Sequence, residues 1–146
     1  MTIVPLISSG TAGPLGVLHL PRLWQKVSLE QRGSLAAGYP GIGKGYDQMV
    51  LDALGLNKDA VTNFIKAQHP TYPQFESWVK KQPGVKLDKA TVDKLNGGIR
   101  GYIHDDGTRK NILGANGIPD EPAAPRDAVN LNNLDDWYEF HQAVLK

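Results

Sequence analysis

Apolar residues recur at helical spacing through most of the chain, and each run has its own start and stop signals. Leu20, Leu23, Trp24 and Val27 fall at i, i+3, i+4 and i+7, which is one face of a helix. Pro21 suits its first turn, where a missing N–H has no partner to lose, and Gly33 or Gly38 ends it. A second helix is predicted from Tyr46 to Leu54, with Tyr46, Met49, Val50, Ala53 and Leu54 in one stripe. Asp47 lies in its first turn, where negative charge is favoured, and Gly55 is placed to cap its C-terminus. A third helix starts at an Asn57 cap, turns Val61, Phe64 and Ile65 inward, and stops before Pro70. A fourth opens on Thr71 and Gln74, the spacing of a capping box, and buries Phe75, Trp78 and Val79 before Pro83-Gly84 stops it.

Asp88 is the predicted cap of a fifth helix, whose period runs through Val92, Leu95, Ile99, Tyr102 and Ile103. A short sixth helix is expected over 106–115, with Asp106 as cap. The last is expected to open at Asn133, with Leu134, Trp137, Tyr138, His141, Val144 and Leu145 as its inner stripe. Residues 1–19 hold too many Gly and Pro for a regular element, yet Val4, Leu6, Ile7, Leu15, Val17 and Leu18 are too apolar for a free tail. That segment is read as an extended arm docked on the helices. No alternating strand of four to eight residues emerges. The expectation is an all-α fold: one domain over 1–146 of about six to seven short helices, with a docked arm at 1–19, a helical core at 20–82 and a C-terminal helical extension at 86–146.

Composition narrows the function classes. The chain has 146 residues, no cysteine, and 16 basic against 15 acidic residues. Thiolate metal sites and cysteine nucleophiles are therefore excluded. No signal peptide and no apolar run long enough to span a membrane is apparent, so a soluble, cytoplasmic protein is expected. A formal charge of +1, spread evenly, gives no electrostatic footprint for nucleic acid. No cofactor is expected, and a monomer and a homodimer both stay open.

The motifs carry little decisive chemistry. Gly38 to Lys44 matches the spacing of a phosphate loop, but Gly45 stands where Ser or Thr would hold magnesium and no strand precedes it. A tight glycine turn explains the segment, with Lys44 and the next helix start able to hold a carboxylate or phosphate. His104-Asp105-Asp106 is the best local cluster for acid–base work, with Tyr102 beside it, but the spacing of a metal site is missing. His19, His69 and His141 are isolated in sequence. Arg22 and Lys26, four apart on the first helix, repel unless an anion or Asp47 faces them. Trp24, Trp78 and Trp137 are read first as core anchors.

At Leu20-Pro21-Arg22, Tyr46-Asp47-Gln48, Leu54-Gly55-Leu56 and Phe75-x-x-Trp78-Val79 the chain resembles a bacterial domain-of-unknown-function family of about 150 residues. The likeness covers residues 13–82. Gly43-Lys44-Gly45-Tyr46 stands where members often have Cys-Pro-Leu, which argues against a thiol-dependent role. The resemblance implies an uncharacterised soluble bacterial domain, with Arg22, Asp47, Gln48 and Trp78 as positions of interest, and no activity to transfer.

The leading expectation is therefore a binding domain for a small, anionic organic molecule. Its pocket would lie between the first, second and fourth helices. Arg22, Lys26, Asp47 and Gln48 would supply polar groups, and Trp24, Tyr46 and Trp78 apolar walls. The alternatives are a metal-independent lyase, isomerase or hydrolase using His104, Asp105 and Tyr102, and a protein-interaction module.

Overall fold

Local capping signals set most of the helix ends in the computed structural model, which describes residues 1–146. Helix α1 spans Leu20–Gln31, α2 Tyr46–Leu54, α3 Lys58–Gln68 and α4 Tyr72–Lys80. Helix α5 spans Lys89–Gly101, α6 Asp106–Ala115 and α7 Ala128–Phe140, and a π-helical turn at His141–Leu145 ends the chain. No strand forms; the arm makes only isolated bridges, Ile3 with Leu35 and Ala12 with Leu18. No helix is long and apolar enough to cross a membrane.

The side chains of Asn57, Asp88 and Asp127 each accept a hydrogen bond from a backbone N–H of the first turn that follows. Thr71 and Gln74 form the reciprocal capping box. Gly55 closes α2 at φ 73°, a left-handed conformation that costs glycine little. The sixth helix is capped by Asp105 rather than Asp106, whose side chain instead meets Arg109.

One core joins the arm to α1–α5. Leu20, Leu23 and Val27 of α1 are fully buried with Val50, Leu51 and Leu54 of α2, Val61 and Ile65 of α3, and Phe75 and Val79 of α4. Val17 and Leu18 belong to the same cluster, and Val4 near the start of the arm is buried as well, so the arm is docked at both ends, while Leu6 stays exposed. A satellite cluster of Ile112, Leu113 and Leu131 joins α6 to α7. Helix α7 also packs on α5.

The C-terminal element departs from the sequence reading. Helix α7 starts five residues before Asn133, and its inner face is Ala128, Leu131 and Asp136. Trp137, one position and about 100° round the helix from Asp136, is 57 % exposed. His141, Val144 and Leu145 are exposed as well. Tyr102 and Ile103 lie beyond the end of α5 and are exposed, with Ile103 bridged to Asp127.

Removing buried mass at the centre should separate core from rim. Phe75→Ala is expected to cost about 3–5 kcal/mol in urea unfolding, whereas Leu145→Ala should stay within about 0.5 kcal/mol. Equal losses for the two would refute the division.

Candidate functional site

The arm brings two distant positions together. A turn at Ser8–Thr11, with the Thr11 amide donating to the Ser8 carbonyl, and the Ala12–Leu18 bridge fold the arm back on itself. His19 closes this loop by donating its amide to the Thr11 carbonyl, 3.2 Å away. His19 also caps the backbone of α1 at φ 71°, a left-handed conformation for a non-glycine residue. Such strain costs on the order of 1–3 kcal/mol and persists only where the surroundings fix it. Here the surroundings are polar. His19 Nδ1 is 2.9 Å from the Ser9 hydroxyl, and Nε2 is 2.6 Å from Asp47 Oδ1. Asp47 Oδ2 accepts from Lys26 Nζ at 2.5 Å and from the Gly43 amide at 2.7 Å.

These contacts assign the proton on the ring. Burial pushes the Asp47 carboxyl up, but the hydrogen bond from His19, the Lys26 charge and the Gly43 amide outweigh it and hold the carboxyl down at about 2. An ionised carboxylate only accepts, so His19 Nε2 carries a hydrogen. Burial lowers the His19 pKa despite the opposing Asp47 contact, with Lys26 and Arg22 adding to the drop. The neutral ring then has its lone pair on Nδ1, and the Ser9 hydroxyl must donate to it.

One helical turn before Lys26, Arg22 is engaged from several sides. Its NH1 donates to Asp136 Oδ2 at 2.6 Å and its NH2 to Asp136 Oδ1 at 3.0 Å, the bidentate fork. NH1 also reaches the carbonyls of Pro5 and Ile7, so the same guanidinium ties the arm and α7 to α1. The Tyr39 hydroxyl donates to Asp136 Oδ1 at 3.0 Å, and burial together with that carboxylate raises its pKa. On the preceding residue, burial and the neighbouring Asp136 raise the pKa of Asp135.

Above these pairs lies a cleft of about 240 Å³, lined by Ser9, His19, Tyr39, Asp47 and Asp135 among others. A larger cavity of about 420 Å³ adjoins it. The two share Lys44, Gly45, Tyr46 and Asn132. The larger one is walled by Tyr46, Met49 and Tyr102, with His104 and Asn132 as polar lining. Tyr46 and Tyr102 meet edge to face at 5.7 Å, and Tyr102 stands nearly perpendicular to His104. His104 Nε2 is held 2.8 Å from Asn132 Oδ1. The Tyr46 hydroxyl donates to the Ile99 carbonyl at 2.5 Å, and burial pushes its pKa up to about 12. Lys44 is exposed and forms no ion pair.

The sequence-predicted residues divide accordingly. Arg22, Lys26, Tyr46 and Asp47 converge on the smaller cleft, and Tyr46, Gln48, Tyr102 and His104 line the larger cavity. Trp24 and Trp78 line neither. Trp24 donates its indole N–H to the Pro70 carbonyl and packs edge-on to Tyr72, and Trp78 stacks on Phe64 at 4.7 Å. The space between α1, α2 and α4 is filled by Leu20, Leu23, Val27 and Phe75, so the cavity lies instead between α2, the Tyr102–His104 segment and α7. Gln48 spends its amide on Asp52. Asp105 caps α6 through Thr108 and stands outside both cavities. Arg22 cannot offer its fork to a ligand, because Asp136 takes it. Ser9, His19, Asn132 and Asp136 were not legible as site residues. The one sequence signal is the Arg22–Lys26 spacing, which called for an anion or Asp47 to face the two cations. No group of three or more His, Asp or Glu side chains is arranged to hold a metal ion. No family model matches the chain, and no curated protein matches it.

Breaking either ion pair should be costly, since the surviving partner stays buried. Asp136→Ala is expected to lose about 3–5 kcal/mol of unfolding free energy, well above the loss for an exposed pair such as Lys89–Asp93. A loss below about 1 kcal/mol would show that Arg22 finds water or another acceptor.

The pH dependence follows from His19. Above pH 6.5 the ring is neutral in the folded and unfolded chain alike. Below that value the unfolded chain takes the proton first, because the folded pKa is the lower one. Stability therefore falls as pH drops from 6.5 through the folded value. Asp47 has the same sign lower down: its contribution is complete above 3.8 and is lost as pH falls through about 2. Urea midpoints should decline between pH 7 and 5, and His19→Gln should flatten that decline. An unchanged slope in the variant would remove His19 as the cause.

Proposed function

We propose that the chain binds a small organic molecule with a planar apolar body and one anionic group, in the cavity walled by Tyr46, Met49 and Tyr102. The carrying observation is Lys44. It is the one cation lining that cavity, and it has no carboxylate partner. It stands immediately before α2, whose N-cap, Gly45, offers no side-chain acceptor to the first-turn N–H groups. Cation and helix dipole add at this end of the cavity. Asp52, the one carboxylate in the lining, lies six residues beyond Tyr46, the first residue of α2, about 9 Å along the helix axis, and accepts from Gln48. Charge is thus separated along the cavity, with an anion favoured near Lys44 and the aromatic edges in reach of a ring. The volume, about 420 Å³, suits a molecule of one or two fused rings.

This reading moves the pocket from its sequence-expected place and replaces Arg22 by Lys44 as the anion's partner. It includes the setting implied by the likeness at Leu20-Pro21-Arg22 and Tyr46-Asp47-Gln48, a soluble bacterial protein of the cytoplasm. Acid–base work at the Tyr102–Asp105 junction has less support, because Asp105 is committed to Thr108.

Nuclear magnetic resonance with a panel of aromatic carboxylates tests the proposal. Members of the panel should shift the Met49 methyl and the Tyr46 and Tyr102 ring signals. Lys44→Ala should weaken them about 3–10-fold, the worth of one partly exposed ion pair, and the matching neutral amides should bind as weakly to the native chain. Shifts confined to other surfaces, or equal binding of acids and amides, would refute it.

A further inference from the structure

We propose that Ser9, His19 and Asp47 form a nucleophilic relay able to take an acyl group from a small, activated ester. The argument rests on the hydrogen-bond order at the smaller cleft and stands whether or not the larger cavity binds an anion. Ser9 donates to His19 Nδ1 at 2.9 Å, and His19 Nε2 donates to Asp47 Oδ1 at 2.6 Å. A hydroxyl, a neutral imidazole and an ionised carboxylate thus stand in the sequence that activates a serine, with the two ring nitrogens exchanged relative to the familiar protease arrangement. All three residues line one cleft of about 240 Å³. Ser9 sits on a tight turn, and His19 is held in a strained backbone conformation by the same contacts.

Other features of the cleft fit acyl transfer. Gly43, Lys44, Gly45 and Tyr46 form part of its wall. Gly45 makes no side-chain cap to the first turn of α2, and it lines the cleft together with Lys44, so a helix start and a cation without a carboxylate partner border the space beside Ser9, on a wall that also carries Asp135. The small volume and the deep burial of Ser9 select a short acyl group.

The step balances without a further reactant. The Ser9 oxygen bonds to the ester carbonyl carbon as its proton passes to His19 Nδ1. The bond from that carbon to the leaving oxygen breaks, and the leaving oxygen keeps the electron pair and takes the proton from Nδ1. Water then attacks the acyl-serine, gives a proton to Nδ1 and releases the carboxylic acid, and Ser9 recovers its hydrogen. Asp47 holds the ring's tautomer and faces the imidazolium while it exists. Lys26 and Arg22 of α1 oppose that imidazolium, the Tyr46 ring of α2 packs against it, and Asp136 of α7 neutralises Arg22. The base is therefore weak, and an activated ester is the class it can serve.

p-Nitrophenyl acetate is the probe. Intact mass spectrometry should show one added acetyl group, and peptide mapping should place it on Ser9. Release of p-nitrophenolate should rise as His19 loses its proton, and level off above pH 7. Ser9→Ala and His19→Gln should each reduce that rate on the order of 100-fold, and Ser77→Ala, on the exposed side of α4, should leave it unchanged. Should Ser9→Ala unfold, the mapped label on the native chain and a Ser9→Cys variant, alkylated at that thiol by iodoacetamide, still decide the matter. Acetyl found only on lysines or the N-terminus, or an equal rate in a folded Ser9→Ala, would overturn the proposal.

Discussion

Two cations, one helical turn apart on α1, are both buried, and the architecture around them follows from that constraint. Arg22 and Lys26 are 7 % and 6 % exposed. Neither could be withdrawn from water without a carboxylate, since an unpaired buried charge costs several kcal/mol. Each has a separate one, Asp136 from α7 and Asp47 from α2. The pairs do not simply add stability, because their own desolvation cancels much of the attraction. What they fix is arrangement. Helices α1, α2 and α7 must meet so that both carboxylates arrive together, and the arm must pass where Pro5 and Ile7 offer their carbonyls to Arg22. A core of aliphatic side chains alone would tolerate small rotations of these helices. The ion pairs make such rotations costly.

How far this was legible depends on the range of the interaction. The existence and order of helices α1 to α6 follow from local signals, because a cap, a proline or a glycine acts within a few residues of its own position, although α5 stops short of Tyr102 and Ile103 and the cap of α6 is Asp105. Helix α7 does not, and the reason is Asp136. Its inner face ends on this carboxylate after Ala128 and Leu131, so a search for apolar spacing rotates the helix by one position and puts Trp137 inside. The true start at Ala128 was missed for a related reason: Asp127 caps it, but no strongly apolar run follows at once. A buried acidic residue matched to a distant arginine cannot be recognised from its own segment.

The site shows the same division. Lys26 and Asp47 could be paired from the sequence, because the repulsion between Arg22 and Lys26 called for an acid and Asp47 begins the next helix. Ser9 could not. It meets His19 only because the arm folds back through the Ala12–Leu18 bridge, a contact without a periodic signature. His104 was found as a cluster with Asp105, yet its partner is Asn132, 28 positions away. Adjacent residues in sequence promised chemistry that capping absorbed, and chemistry arose between residues with no common pattern.

Lys26 settles how the charged centre should be understood. Were Asp47 paired with His19 alone, its charge would raise the ring's proton affinity and make a stronger base. Burial is what chiefly drives the ring to its neutral form, and Lys26, holding the other carboxylate oxygen at 2.5 Å, adds to it by sharing that charge. The same contact keeps Asp47 ionised and its plane fixed, which orients the ring and with it Nδ1 toward Ser9. Pre-organisation is thus gained by giving up basicity. An imidazole in that state is of little use for holding an anion, since it carries no charge near neutral pH. It is suited to accept a proton from a neighbouring hydroxyl, and the fold supplies that hydroxyl from the arm that Arg22 pins in place.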